Sequence, residues 1–433
     1  MKKWIDRFGE GGFLFISTLI VNIGNYGLNL ILGRFLGPEE FAAANILTTI
    51  VLILSFIALG FQLATAKFVA SYKAQELQDK VDSFITWIKK SALIFSVSIS
   101  FILILCQEAI RSYLHFASSG PLIMLFVAIP LYIDMSVSRG YFQGTNQFKK
   151  LAYTYIAEML ARLLVTGVLI YICLFLHQTW AIEAIAVGFI AAFMAAAYFG
   201  KVQTFNIFRS SNFAQSKKVF LFLGVVAMYE FSQIIINNSD VILAKHFFEN
   251  KEAGLYASLA LIGRVVYFAT WTIVTLLFPM VIEKEKKGEP HAHLFWSSLG
   301  IVSLFGILTT MGCFFFDHLI VSILFGEAYL STAPLLWKYA VATTLFSCAN
   351  VFVYYHMSLE NYTPVFISLG IGLLQILGIY LIHQNMEAII KVQIVLMTSM
   401  FIILGIYQWM YSLKKQKLKQ KLKASLILKT DIS

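Results

Sequence analysis

Apolar residues in this chain gather into runs of about twenty, each closed by a short cluster of charged residues, Gly or Pro. A helix rises about 1.5 Å per residue, so a run of that length matches a hydrocarbon layer about 30 Å thick. With the punctuating clusters as boundaries, the pattern predicts helices near 13–33, 42–66, 84–105, 121–143, 151–176 and 180–200. A second set is predicted near 219–244, 254–282, 294–316, 334–358, 362–383 and 388–412. The polar, basic stretch Val202 to Lys218 divides six from six, giving domains 1–205 and 206–433, the latter ending in a basic tail over 413–433.

Composition agrees with that pattern. Of 433 residues, 59% are hydrophobic and 13% charged, where soluble domains carry about 45–50% and about 25%. No soluble core absorbs such an excess, so the bilayer is the solvent for most of the chain.

The net charge of +10 is unevenly placed. Alternate loops hold Lys2, Lys3 and Arg7; Lys67 to Lys90; Arg139, Lys149 and Lys150; Lys201 to Lys218; Lys284 to Lys287; and the tail from Lys414. The opposite loops hold only Arg34, Arg111, Lys245, Lys251, Lys338 and Lys391. Basic residues in short loops stay on the cytoplasmic side, so both termini are expected there, with the first helix retained rather than cleaved as a signal. The bias accounts for the charge without nucleic acid as a partner. The tail also places Leu418, Leu422 and Leu426 at helical spacing, which suits a stop signal or a segment lying on anionic lipid.

Several chemistries are disfavoured. The longest outer loops, 107–120 and 317–333, leave no room for an external catalytic domain, and no inner loop carries a GxxxxGK[ST] phosphate loop. Neither an enzyme nor an ATP-driven pump is expected, and no cofactor is implied. Cys106, Cys173, Cys313 and Cys348 lie in or beside apolar runs without a CxxC pair, and read as small hydrophobes. Glu289, His291 and His293 read as a solvated charged loop rather than a metal site.

The halves repeat. An offset of about 211 lays Asn22 on Gln233, Asn29 on Asp240 and Arg34 on Lys245. Each half opens with a polar-marked apolar helix, a basic residue, an acidic turn and a second helix beginning with small residues. Six plus six helices in one orientation make a parallel repeat about an axis along the membrane normal, and transporters often bind substrate between such halves.

Ionisable and amide side chains inside the apolar runs mark the candidate site, because a charge at mid-bilayer costs a few kcal/mol and tends to face the protein interior or a water-filled cavity. Glu230, Gln233, Asn237 and Asp240 share one face of the seventh helix, as do Asn22, Asn25 and Asn29 of the first. The amides could equally bond neighbouring helices as packing glue; a carboxylate suits that task poorly. Glu158 and Arg162 stand one turn apart, where they could neutralise each other or exchange partners. Arg264 is expected to reach Glu230 or Asp240. Asp134 and Arg139 lie toward the inner end of the fourth helix, where Arg139 could snorkel to the surface.

The segment Leu32-Gly33-Arg34-Phe35-Leu36-Gly37-Pro38-Glu39-Glu40-Phe41-Ala42 resembles the first-hairpin signature of polysaccharide-type flippases. Asn238 to Lys245, followed by Glu252 to Ser258, resembles its counterpart in the second half. These flippases belong to a superfamily with lipid II flippases and multidrug and toxin exporters. The resemblance implies an all-α integral membrane fold of about twelve helices in two six-helix lobes, MATE-like, related by a pseudo-two-fold along the membrane normal around a central cleft. It further implies carriage of an oligosaccharide on a polyprenyl diphosphate from the inner to the outer leaflet of a bacterial plasma membrane, among membrane lipids and glycan-assembly proteins. A cationic cavity suits that headgroup, which makes Arg162 and Arg264 the leading candidates; Asp240 carries over from the motif itself. The chain is shorter than lipid II flippases. An ion-coupled drug antiporter using Glu230 and Asp240, and a membrane-embedded glycan polymerase or ligase, are the alternatives.

Overall fold

The computed structural model describes residues 2–201, 216–267, 270, 277, 280–281, 284–285, 289–359 and 361–430. Most of the Val202 to Lys218 divider, with Arg209, and the loop residues Lys286 and Lys287 lie outside them, as does part of the helix predicted over 254–282.

The first two predicted helices form one element, α1 (Lys2–Ala74), of 73 residues. At about 1.5 Å per residue this exceeds three bilayer cores, so it must turn back. It does so at Gly37, whose φ of 73° and ψ of 172° are non-helical and fall where essentially only Gly is comfortable. Pro38 follows, tolerated because the first turn of the resuming helix needs no N–H donor. The acidic turn expected between two helices is thus compressed to a single residue.

The chain continues through α2 (Gln78–Leu105), α3 (Gln107–Tyr113), α4 (Gly120–Val127), α5 (Ile129–Gly144), α6 (Phe148–Phe175) and α7 (Ala181–Phe199). The second half comprises α8 (Ser216–Phe247), α9 (Asn250–Gly263), α10 (Ala292–Phe315), α11 (Asp317–Leu324), a 3-10 turn (Glu327–Thr332), α12 (Ala333–Ser358), α13 (Thr363–Leu381) and α14 (Met386–Thr430). The predicted helix 121–143 is split at Ala128, because Pro130 at the start of α5 has no N–H to give the preceding turn.

Among the described residues, nine helical stretches are long and apolar enough to span a bilayer, the first running over 62 residues. Counting that one twice and adding α8 and α9 gives about twelve crossings. The order of elements repeats as well: α3 follows α2, and α11 follows α10 about 210 residues later, filling both stretches read as outer loops with short helices.

The chain packs as two compact units. One comprises Met1–Ile234, Ala244–Ala257 and Leu324–Ala328; the other Ile235–Leu243, Ser258–Ile323 and Tyr329–Ser433. In the first, α5 lies on α1 so closely that a Cβ on Gly140 would stand 2.4 Å from the Gln62 carbonyl oxygen. One on Gly144 would stand 2.7 Å from that of Ala66. Small residues four apart are how membrane helices bring backbones into contact. In the second, α12 packs against α10 and α14.

Polarity is inverted relative to a water-soluble protein. Phe101, Leu164, Phe175, Leu304 and Leu374 are exposed on the long helices, whereas Thr154, Ser232, Ser258 and Gln375 are wholly buried. Such a surface is stable only against hydrocarbon, and the chain is a multi-pass membrane protein.

Candidate functional site

In the second unit the site is built where a helix breaks. The sequence predicts one helix over 254–282, but α9 ends at Gly263, Arg264 stands in a turn, and helix resumes at 265. The hydroxyl of Thr343 on α12 donates to the Gly263 carbonyl oxygen at 2.8 Å, the kind of side-chain compensation that lets a membrane helix break. The Arg264 backbone N–H keeps its helical bond to the Ala260 carbonyl oxygen at 3.0 Å, and its guanidinium reaches α8. Its Nη2 donates to Asp240 Oδ1 at 3.0 Å and its Nε to the Tyr339 hydroxyl at 3.3 Å. Tyr339 in turn donates to the other carboxylate oxygen of Asp240 at 2.7 Å.

Asp240 is 0% exposed and Arg264 9%, so each charge depends on the other. A small cavity opens beside them, lined by Asn237, Arg264, Tyr339, Thr343, Gln375 and Gln393 among others, with about 20 Å³ of room for the centre of a water molecule. That is enough for a water or so. Gln375 fixes the facing stretch of α8, donating to the Ile236 carbonyl oxygen and to Ser239 Oγ, both at 3.0 Å.

In the first unit the charges pair differently from the sequence expectation. Glu158 does not pair with Arg162; its Oε2 accepts from Arg139 Nη2 at 2.6 Å. Arg139 also donates to Thr154 Oγ1 at 2.9 Å and to the Thr154 carbonyl oxygen at 3.1 Å, and its guanidinium lies 4.0 Å over the ring of Tyr155. The expectation that Arg139 snorkels is overturned, since it is buried. The reason is competition: an i, i+4 pair gains only about 0.2–0.5 kcal/mol on a helix surface, whereas a charge-assisted bond between helices in a dry interior gains more. Asp134 is taken by Lys89 on α2, 3.1 Å away.

Arg162 is consequently left with an amide. It donates to Asn25 Oδ1 of α1 and lies 5.1 Å over the Phe189 ring. Asn25 and Asn29 are therefore placed on the face of α1 turned toward Arg162: Asn29 Nδ2 donates to the Asn25 carbonyl oxygen at 2.9 Å, and Thr48 donates to Asn29 Oδ1 at 3.3 Å. Asn22 is exposed. Of the α8 stripe, Glu230 and Gln233 are buried in the first unit, Asn237 and Asp240 belong to the second, and Glu230 Oε2 has no hydrogen-bond partner among the described residues.

Tyr339, Thr343, Gln375 and Lys89 were missed by sequence reasoning. The two amides Gln375 and Gln393 carried the same signal as the Asn stripe, a polar group inside an apolar run. Tyr339 carried none, since tyrosine sits in apolar segments without comment. His291, expected in a solvated loop, is buried, held between Glu285 at 2.7 Å and the Tyr355 hydroxyl at 3.0 Å. No cluster of three potential metal ligands occurs among the described residues, and the four cysteines are free thiols.

A family model described as "Polysaccharide biosynthesis protein" matches residues 10–284. No curated protein matches the chain. Among solved structures, the fold is similar to a multidrug resistance MATE family transporter of the MOP superfamily in an inward-facing conformation, with a TM-score of 0.78 at 11% identity, over 91% of this chain and 96% of that one. It is also similar to the lipid II flippase MurJ in an inward closed conformation, at 0.69 and 13%, over 93% and 87%. A third similar structure is a MOP superfamily transporter from Pyrococcus furiosus, at 0.63 and 12%, over 92% and 93%; a reversed polarity of its binding pocket is said to suggest a different function for it.

Proposed function

This chain belongs to the polysaccharide biosynthesis protein family, and we propose that it is a flippase carrying a lipid-linked oligosaccharide, a polysaccharide precursor, across a bacterial plasma membrane by alternating access. One observation carries the reading: each compact unit buries an arginine, Arg162 in the first and Arg264 in the second, among polar side chains rather than at a lipid interface. Guanidinium groups recognise phosphate oxygens through paired N–H donors, and a polyprenyl diphosphate presents such oxygens beside a sugar whose hydroxyls suit amides such as Asn25 and Asn29 of the first unit. The glycan crosses shielded by protein while the polyprenyl tail stays in the bilayer. The protein acts as a carrier and not as an enzyme, with both termini cytoplasmic and with membrane lipids and glycan-assembly proteins as neighbours.

The second reading, an ion-coupled multidrug antiporter, draws on Glu230, a buried carboxylate suited to a cation or proton. Charge sign weighs against it, because a cationic drug would be repelled by Arg162, while Arg264 is already matched by Asp240. The polarity described for the archaeal transporter of this fold makes charge sign the feature on which to decide.

The test is the leaflet location of lipid-linked glycan in a strain lacking the protein, with rescue by the unaltered chain and by Arg162→Ala plus Arg264→Ala inserted at equal levels. Accumulation on the cytoplasmic leaflet, rescued by the first and not by the second, is the expected result. Unchanged glycan distribution together with lost resistance to organic cations would replace the flippase by the antiporter.

A further inference from the structure

We propose that Arg162 is the phosphate-oxyanion acceptor of this protein, with Asn25 as its placeholder partner in the empty state, and that Arg264 is not its equivalent. The inference rests on the flippase reading and divides the labour between the two arginines.

Arg139 is neutralised by Glu158, Arg264 by Asp240 and Lys89 by Asp134. Arg162 is as buried as Arg264, 9% exposed in each case, yet no carboxylate lies within 4.0 Å of it among the described residues. Among the described residues its one polar partner is the neutral Asn25 oxygen, and its Nε has no hydrogen-bond partner. One turn along α6, the wholly buried hydroxyl of Thr166 is likewise unpartnered among the described residues.

Glu158, one turn away, acts on Arg162 only at longer range, since its carboxylate accepts from Arg139; a buried cation without a hydrogen-bonded counter-charge is the costliest way to place an arginine, and an anion from outside the chain completes such a site. The unused donor has the right chemistry. An Nε–H beside a terminal N–H forms the fork that grips two oxygens of one phosphate, and here Nε is the donor left over. Asn25 adapts to both states: its Oδ1 accepts from Arg162 when no anion is present, and rotation of the amide presents Nδ2 as a further donor when one arrives. Arg264 lacks this freedom, being tied by Asp240 and Tyr339 on the same side as its Nε.

The experiment uses the full chain in lipid nanodiscs and measures binding and thermal midpoint with inorganic diphosphate, with chloride, and with discs doped with polyprenyl diphosphate. Diphosphate is expected to bind and stabilise the unaltered protein, and Arg162→Gln to weaken binding about tenfold to a hundredfold, the range set by a charge-assisted hydrogen bond. Arg162→Lys, which keeps charge and loses the fork, should fall between. Without ligand, Arg162→Gln should melt no lower than the unaltered protein, since it strands no partner charge. Stabilisation by doped discs beyond that of the soluble salt assigns the anion to a lipid headgroup, and saturation by the soluble salt alone assigns it to a free phosphate compound; either supports the acceptor. Equal stabilisation by chloride, unchanged diphosphate affinity in Arg162→Gln, or an unliganded melting loss as large as that of Glu158→Gln would overturn it. The two readings fail separately. Diphosphate binding through Arg162 without a glycan phenotype sinks the flippase and leaves the site, whereas full glycan rescue by Arg162→Gln sinks the site and leaves the flippase.

Discussion

Replacing Arg264 by Ala should destabilise the second unit far more than a typical substitution, and the structure says by how much. Asp240 is 0% exposed, and of its two carboxylate oxygens one accepts from Arg264 at 3.0 Å and the other from Tyr339 at 2.7 Å. Removing the guanidinium strands a buried carboxylate with its cation gone, a loss of about 3–5 kcal/mol. Asp240→Asn strands the cation instead and should cost a similar amount. Tyr339→Phe removes one hydrogen bond to a charged group and leaves the ion pair, so about 1.5–3 kcal/mol is expected. The double variant Asp240→Asn plus Arg264→Ala removes both charges, and its cost should fall well short of the sum of the singles, with a coupling of about 2–3 kcal/mol. Equilibrium unfolding in mixed detergent micelles, followed by intrinsic Trp fluorescence, gives all four numbers. Coupling below about 0.5 kcal/mol, the level at which independent sites add, would refute the claim that the two charges hold one another.

The other predictions follow the same contacts. Glu158→Gln should lower the melting midpoint while Arg162→Gln one turn away does not, because only the first strands a partner, Arg139; equal losses in the two melting curves would contradict that pairing. Gly254→Val should sharply reduce the folded yield on size-exclusion chromatography, since a Cβ there would stand 1.7 Å from the Pro38 carbonyl oxygen; a normal monodisperse peak would argue against so close an approach. Gly37→Ala should cost about 1–3 kcal/mol through its φ of 73° and ψ of 172° alone, read as a lower unfolding midpoint. For topology, His115→Cys should react with a membrane-impermeant thiol reagent in intact cells and Lys414→Cys only after lysis, in a background where Cys106 is Ser. Labelling on the opposite sides would reverse the orientation read from the basic loops.

How much of this was legible without coordinates differs from residue to residue. The boundaries of α2, α6 and α7 lie within a few residues of the apolar runs that predicted them, because a bilayer sets helix length and leaves neighbours little say. The break at Arg264 was invisible: the run around it stays apolar, and what makes the interruption tolerable is Thr343, eighty residues away in sequence. The Asn and acidic stripes marked one face each of α1 and α8, of which Asn22 is exposed, and nothing in their spacing could say that Asn25 meets Arg162 or that Asp240 meets Tyr339.

The sequence by itself determined that the chain lives in a membrane, that about twelve helices cross it in two similar halves, and which alternate loops are basic. Those are properties of single segments, decided by each segment's own free energy of transfer into hydrocarbon. Only the tertiary structure decided which charge is spent on which. Glu158 stands one turn from Arg162 in its own helix and still pairs with Arg139 from α5, because in a low-dielectric interior a charge goes to whichever partner offers the shortest, best-aligned hydrogen bonds. Which helix brings that partner depends on packing between segments far apart in sequence. The consequence is an Arg162 with no carboxylate within 4.0 Å among the described residues, the feature on which the proposed anion site depends.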